Sequence, residues 1–281
     1  MFERLIPSMK VIFNSRTFDT SAVPLDLANR AFCYGDGLFE TIVTGPERFN
    51  LIDFHLARLQ RACHVLNIKF PRELKATFIE ASIKQLQAEN ELSQTVRTKI
   101  MLWRNTGGLY SPSSTDASYL IEVKNAEKPF FRNGGKLGLS ESVHTNFSPI
   151  SFAKTMSSMP YVLAGIEKNK KAIDEIILTD VHGNIAETHL ANVFWINGSN
   201  VFTPDLTTGC IEGVMRKQLI ALFAQNGHKV NTGKFTVDAL QKADSIFASN
   251  ASGISYFSSF LGLEKSSPKP PLKELIPQLP L

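Results

Sequence analysis

The sequence predicts a two-domain α+β protein, and three observations carry that reading. Its 281 residues exceed one average domain of roughly 150. Strand-like and helix-like stretches alternate along both halves. Between them, residues 126–134 turn polar, with Pro129 and Gly134, which reads as a linker joining a domain over 1–125 to one that opens at Gly135 and runs to 281. A composition of 43% hydrophobic and 20% charged residues is ordinary for a chain that buries a core.

In the first half, Lys10–Asn14 reads as a strand. Phe39–Thr44 reads as another, which turns at Gly45-Pro46 into a strand over Arg48–Ile52 to make a hairpin. Asp53 is placed to cap a helix running to Asn67, with Leu56, Leu59, Cys63 and Leu66 recurring at helical spacing as its core stripe. Arg72–Asn90 reads as a second amphipathic helix, and Arg97–Trp103 and Ser118–Val123 as strands flanking a loop over 104–116. The second half opens with a strand at Lys136–Ser140 and continues with a helix over 160–172. A hairpin follows, pairing Glu175–Thr179 with Ile185–Ile196, the latter interrupted. A strand at Val201–Thr203 precedes a helix over 213–225 that Asn226-Gly227 closes. Phe235–Leu240 and Asp244–Ser249 come before a tail, Glu264–Leu281, whose proline and lysine content predicts loose packing. No internal repeat is present.

Several function classes are disfavoured. The net charge of +4 is spread along the chain, without the basic arm or aromatic-basic stripe of a nucleic-acid binder. Cys33, Cys63 and Cys210 are odd in number and far apart, which suggests reduced thiols, fits no CxxC motif and points to a cytoplasmic protein. No apolar run reaches the ~18 residues of a membrane span. The start lacks a basic region followed by an apolar one, so no signal peptide is expected. The six histidines have no metal-ligand spacing. GxGxxG after a strand, GxxxxGK[ST], HExxH and GxSxG are all missing.

One lysine stands apart. Between Glu141 and Glu167 the only fully charged side chain is Lys154, in a run that also carries Phe152, Ala153, Met156 and Met159. Partial desolvation disfavours an ammonium and lowers its pKa, and the neutral amine condenses with carbonyls to give a Schiff base. The alternative is a stem that snorkels over apolar neighbours to reach water. Further features suit a phosphorylated, ring-shaped cofactor. Thr208–Arg216 runs a glycine turn into a helix, whose N-terminus attracts anions, and Gly213 permits close backbone approach. Arg58 could clamp a phosphate. Glu187, beside Ile185 on a strand, is a carboxylate in need of a partner, which a protonated ring nitrogen would supply. Asn250–Gly253 could offer a second anion contact, or simply form a turn. Taken singly, each feature also fits an ordinary surface arginine, strand glutamate or helix start.

In order along the chain, the motifs Asn-Arg-Ala-Phe-Cys-Tyr-Gly-Asp-Gly-Leu-Phe-Glu-Thr (29–41), His-Leu-Ala-Arg-Leu-Gln-Arg-Ala-Cys (55–63), Lys154, Gly-Asn-Ile-Ala-Glu-Thr-His-Leu-Ala-Asn-Val-Phe (183–194) and Thr-Pro…Gly-Val-Met-Arg (203–216) resemble the class IV aminotransferases. These are pyridoxal-phosphate enzymes of fold type IV, and they include branched-chain aminotransferase, D-amino-acid aminotransferase and 4-amino-4-deoxychorismate lyase. The resemblance spans roughly residues 10–262, with Lys154 and Glu187 separated by close to the family's usual interval. It implies a small α/β sandwich at the N-terminus, a larger C-terminal pseudo-barrel domain, pyridoxal 5'-phosphate as cofactor, and a homodimer. It also implies roles for individual residues. Lys154 would carry the Schiff base and shuttle the proton. Glu187 would pair with the pyridine nitrogen. Arg58 and the amides of Val214 and Met215 would hold the phosphate, with Gly213, Asn192 and Ala251 also around the cofactor. Tyr34, Phe39 and Glu40 would line the substrate side.

Three departures from the family pattern bear on activity. Where several relatives place a tyrosine five or six residues after the lysine, this chain has Met159 and Pro160, and Tyr161 follows. Ala251 stands where branched-chain enzymes carry a phosphate-binding threonine. Leu109 stands where a carboxylate-binding arginine is frequent, leaving Arg97 or Arg104 to replace it. The leading expectation is therefore an aminotransferase acting on branched-chain or other apolar amino acids and a 2-oxo acid. The alternative is the lyase, which forms 4-aminobenzoate and pyruvate.

Overall fold

The computed structural model describes residues 9–45, 51–128, 130–268, 271–275 and 278. The described residues within 1–128 and 153–157 form one compact unit, and those within 129–152 and 158–281 form the other.

The first unit is built on an antiparallel sheet of five strands: β1 (Lys10–Phe13), β2 (Arg16–Asp19), β3 (Gly37–Thr44), β4 (Val96–Arg104) and β5 (Ala117–Asn125), in the order β2-β1-β5-β4-β3. A short helix α1 (Arg30–Tyr34) precedes β3, and α2 (Ile52–Val65) and α3 (Ala76–Glu89) lie between β3 and β4. The expected core stripe of α2 is buried at Leu56, Leu59 and Cys63. Its start differs from expectation, since Leu51 occupies the cap, Ile52 is helical and Asp53 lies in the first turn. There an acidic group still favours the helix dipole. Pro46 of the expected turn and residues 48–50 of the expected strand Arg48–Ile52 lie outside the described residues. Along β3, Leu38, Glu40, Ile42 and Thr44 are buried while Phe39, Thr41 and Val43 are half-buried, the two-residue alternation of a strand. Phe39 and Glu40 therefore face opposite sides of the sheet and cannot line one pocket together.

The second unit holds two mixed sheets. The six-stranded one has the order β12-β11-β10-β13-β14-β6. It is formed by β6 (Phe130–Asn133), β10 (Asn192–Asn197), β11 (Asn200–Pro204), β12 (Val230–Gly233), β13 (Ser245–Asn250) and β14 (Gly253–Tyr256). The five-stranded one, β16-β15-β7-β8-β9, comprises β7 (Lys136–Thr145), β8 (Glu175–Asp180), β9 (Ile185–Thr188), β15 (Ser259–Phe260) and β16 (Leu263–Glu264). The helices are α4 (Met159–Lys170), α5 (Val214–Gln225), α6 (Asp238–Gln241) and α7 (Leu272–Leu275). Core residues Phe194, Leu219, Phe223 and Phe247 pack together with Leu272 and Leu275 of the tail. The tail is thus anchored here. Two leucines three residues apart on one helical turn outweigh the proline-rich composition around them.

Candidate active site

Lys154 belongs to the first unit. The strip 153–157 adds to the free edge of β3: the Phe39 N–H donates to the Lys154 carbonyl (2.9 Å) and the Met156 N–H to the Gly37 carbonyl (2.9 Å). Gly37 is needed for this approach, because a Cβ there would lie 2.7 Å from the Met156 sulfur and 3.0 Å from the Leu102 carbonyl. The half-buried Lys154 side chain carries its ammonium 5.3 Å from the centre of the Phe39 ring, within range of a cation–π contact. A second ammonium, that of Lys99, lies 5.2 Å from the same ring. The β3–β4 register explains it, since Thr41 pairs with Lys99 and Phe39 with Met101, making Phe39 and Lys99 diagonal neighbours on one face. Sequence reasoning missed Lys99, for only the strand register brings it to Phe39. Met159, expected beside Lys154 as an apolar neighbour, is 65% exposed.

Arg58 is buried on α2 and donates from Nε to Glu40 Oε1 (2.8 Å) and from Nη2 to Glu40 Oε2 (2.5 Å), while His55 Nδ1 meets the same Oε2 at 2.7 Å. Burial pushes the Glu40 carboxyl up, but the Arg58 charge and the hydrogen bonds from His55 and Arg58 outweigh it and hold the group down at about 2. Glu40, expected on the substrate side, is instead the internal partner of Arg58. A phosphate held by Arg58 would meet its other N–H groups.

The remaining substrate-side residues spread out. Arg104 is buried and committed, with Nε on Asp36 Oδ2 (2.9 Å), Nη2 on the Leu66 carbonyl (2.7 Å) and Nη1 on the Asn67 and Ser114 carbonyls. Arg30 shares Asp36 (2.8 Å) and reaches the carbonyls of Gly107, Gly108 and Leu109. Burial pushes the Asp36 carboxyl up, and the two arginines more than offset it, so it lies below the usual range. These two cations fasten the loop after β4, which corrects the expectation that Arg104 binds substrate. Arg97 is exposed on β4. Leu109 is 70% exposed and Tyr110 is 91% exposed, with the Tyr110 ring edge-on to Tyr34. Tyr34 itself packs under the Arg30 guanidinium.

In the second unit, Glu187 on β9 is 2% exposed. Its Oε1 accepts from the Tyr161 hydroxyl (2.7 Å), and its Oε2 accepts from the Ile211 N–H (3.1 Å) and the Asn192 amide (3.5 Å). Asn192 also donates to the Ile211 carbonyl (2.7 Å). Burial, then the charge of Glu187, drives the Tyr161 phenol far above its ordinary pKa. The Cys210 thiol is likewise pushed up to about 12, first by burial and then by Glu187, which leaves it protonated and unreactive. Two residues after Ile211, Gly213 caps α5 without a side-chain hydrogen bond. The first amides of α5, those of Val214 and Met215, thus open a helix N-terminus suited to an anion. A Cβ at Gly213 would fall 2.0 Å from Asn192 Oδ1. Ala251 lies in the turn between β13 and β14, where Asn250 accepts from the Ser252 N–H (2.8 Å).

Unit by unit, these groups fit a phosphorylated pyridine aldehyde. The first unit offers an amine against an aromatic ring and a buried guanidinium. The second offers a buried carboxylate for a protonated ring nitrogen and an uncapped helix start. No cluster of metal-ligating side chains exists among the described residues, and no helix among them is long and apolar enough to cross a membrane.

Residues 37–259 match the family model "Amino-transferase class IV", and the chain belongs to this family of pyridoxal-phosphate-dependent enzymes. Its fold is that of fold type IV, α+β throughout. Among curated relatives, an aminodeoxychorismate lyase of Vibrio harveyi is 28% identical over 80% of this chain and 83% of its own. A second aminodeoxychorismate lyase, from Bacillus subtilis, is 26% identical over 86% and 83%. Among solved structures, a branched-chain aminotransferase of Thermoproteus uzoniensis superposes with a TM-score of 0.85 at 21% identity, covering 95% of this chain and 92% of that one.

Proposed function

We propose that this chain is a pyridoxal-phosphate enzyme acting on an amine whose carbon skeleton carries a second carboxylate, with 4-amino-4-deoxychorismate lyase as the first reading. The observation that carries it is Lys99, an ammonium on the same Phe39 ring that Lys154 approaches. An unpaired carboxylate is costly to bury, and the absence of arginine at Leu109 argued against such a substrate. Lys99 supplies a charge partner on the sheet face that bears Phe39. The two lyase relatives support the same reading.

When bound, pyridoxal phosphate supplies an aldehyde that captures amines and a ring that takes up the electron pair released at the adjacent carbon. The protein's side chains do the rest. Lys154 Nζ would hold the aldehyde; in the lyase reading it would take the proton from the substrate carbon bearing nitrogen and hand it to the three-carbon enol that leaves as pyruvate when its C–O bond to the ring breaks. Glu187 would pair with the ring nitrogen and keep it protonated. Arg58 in the first unit and the α5 amides in the second would each suit a phosphate. The alternative reading is an aminotransferase for branched-chain or other apolar donors, favoured by the uncharged, exposed Leu109. Met159, Val162, Leu163 and Ile166 leave an apolar stripe exposed on α4 (65, 53, 50 and 46%), at helical spacing. A second copy of the chain would cover it, consistent with a homodimer.

Borohydride reduction of the cofactor-loaded protein should fix the label to the peptide containing residue 154, and Lys154→Ala should fold without taking it. The unmodified enzyme should form 4-aminobenzoate and pyruvate, with Lys99→Met lowering that turnover about tenfold or more. Transamination of leucine or valine without any 4-aminobenzoate would decide for the aminotransferase.

A further inference from the structure

We propose that Tyr161 is a positioning residue for Glu187, its hydroxyl committed as donor to the carboxylate that serves the cofactor's ring nitrogen and not to the cofactor's phenolic oxygen. The inference rests on the cofactor reading above and assigns a role to the tyrosine that departs from the family spacing.

The geometry lies wholly within one unit. In the β8–β9 ladder Leu178 pairs with Glu187, so the two side chains share a face of the sheet. Tyr161 packs against the cluster of Val143, Ala164, Ile176 and Leu178, which sets its ring on that face. From there its hydroxyl reaches Glu187 Oε1 at 2.7 Å. A carboxylate only accepts, and a phenol has a single proton to give, so the proton goes to Glu187. Ionisation of the phenol is suppressed by burial and by the neighbouring carboxylate. The other oxygen, Oε2, takes the Ile211 amide and Asn192. Tyr161 therefore fixes the rotation of this carboxylate, 2% exposed, about its last bond. Met159 and Pro160, at the positions where relatives carry the tyrosine, have no hydroxyl to offer.

The test compares three probes on apo-protein by fluorescence titration: pyridoxal phosphate, its 1-deaza analogue with CH for the ring nitrogen, and its 3-deoxy analogue without the phenolic oxygen. Tyr161→Phe should weaken pyridoxal phosphate and the 3-deoxy analogue alike, by about tenfold, the worth of one hydrogen bond to a charged group. The 1-deaza analogue should lose nothing. A penalty that disappears with the 3-deoxy analogue, one that is equal for all three probes, or none at all overturns the assignment. If Tyr161→Phe does not fold, uniform 3,5-difluorotyrosine substitution keeps ring and hydroxyl while strengthening the donor. It must then shift both nitrogen-bearing probes alike and leave the 1-deaza analogue unmoved, and any other pattern is contrary. A wild-type protein that binds none of the probes overturns the cofactor reading, and this inference with it.

Discussion

Replacing Glu40 by glutamine removes one negative charge from a fully enclosed cluster and leaves the shape nearly intact. In the wild type that carboxylate receives Arg58 Nε and Nη2 at 2.8 and 2.5 Å and His55 Nδ1 at 2.7 Å. Its folded pKa of about 2 lies below the ordinary 4.5. A carboxyl depressed in this way stabilises the fold fully above pH 4.5, and that contribution is lost as pH falls from 4.5 towards 2. The depression corresponds to about 3 kcal/mol at neutral pH, of which roughly half is gone by pH 3. Breaking a buried ion pair from one side costs about 3–5 kcal/mol by a separate route, the desolvated cation left with a neutral partner. The two estimates agree in size. Urea unfolding of apo wild type and Glu40→Gln should show a gap of about 3–4 kcal/mol at pH 7, shrinking by roughly half at pH 3. A gap below about 1 kcal/mol at pH 7, the size of a surface ion pair, would refute the reasoning. So would a gap that does not change with pH. Because Glu40 faces α2 and not the Phe39 side, the variant should also lose phosphate affinity through Arg58 while leaving substrate preference unchanged.

Two further predictions test packing. Gly213→Ala should lower the thermal midpoint by an amount equivalent to about 1–3 kcal/mol, because its Cβ would meet Asn192 Oδ1 at 2.0 Å. The backbone there, with φ −61°, accepts alanine without strain, so an unchanged midpoint would mean that Asn192 moves freely. Leu272→Ala should cost about 2–5 kcal/mol in chemical denaturation, since the side chain is fully buried; a loss under about 0.5 kcal/mol, typical of a surface site, would restore the loose-tail expectation.

The sequence by itself determined the elements with strong local signals. The stripe of α2 and the α5 segment, bounded by Gly213 and Asn226-Gly227, follow from spacing and turn chemistry that act within a few residues. The ordered motifs around Lys154 and Glu187 located the family for the same reason, being continuous in sequence. Residues 37–42 also carried the alternation that separates Phe39 from Glu40, although both were expected on the substrate side. Tertiary structure alone decided the pairings between distant segments. Register between β3 and β4 put Lys99 beside Phe39. The β8–β9 ladder and the packing of α4 joined Tyr161 to Glu187 across 26 residues. Asp36 became the partner of Arg104 across 68 residues, and two tail leucines found a core that composition concealed. In each case the deciding quantity is the burial of a charge or an apolar side chain against a partner far away along the chain. Local propensity has no access to that, because the desolvation cost and its compensation exist only once the chain is folded.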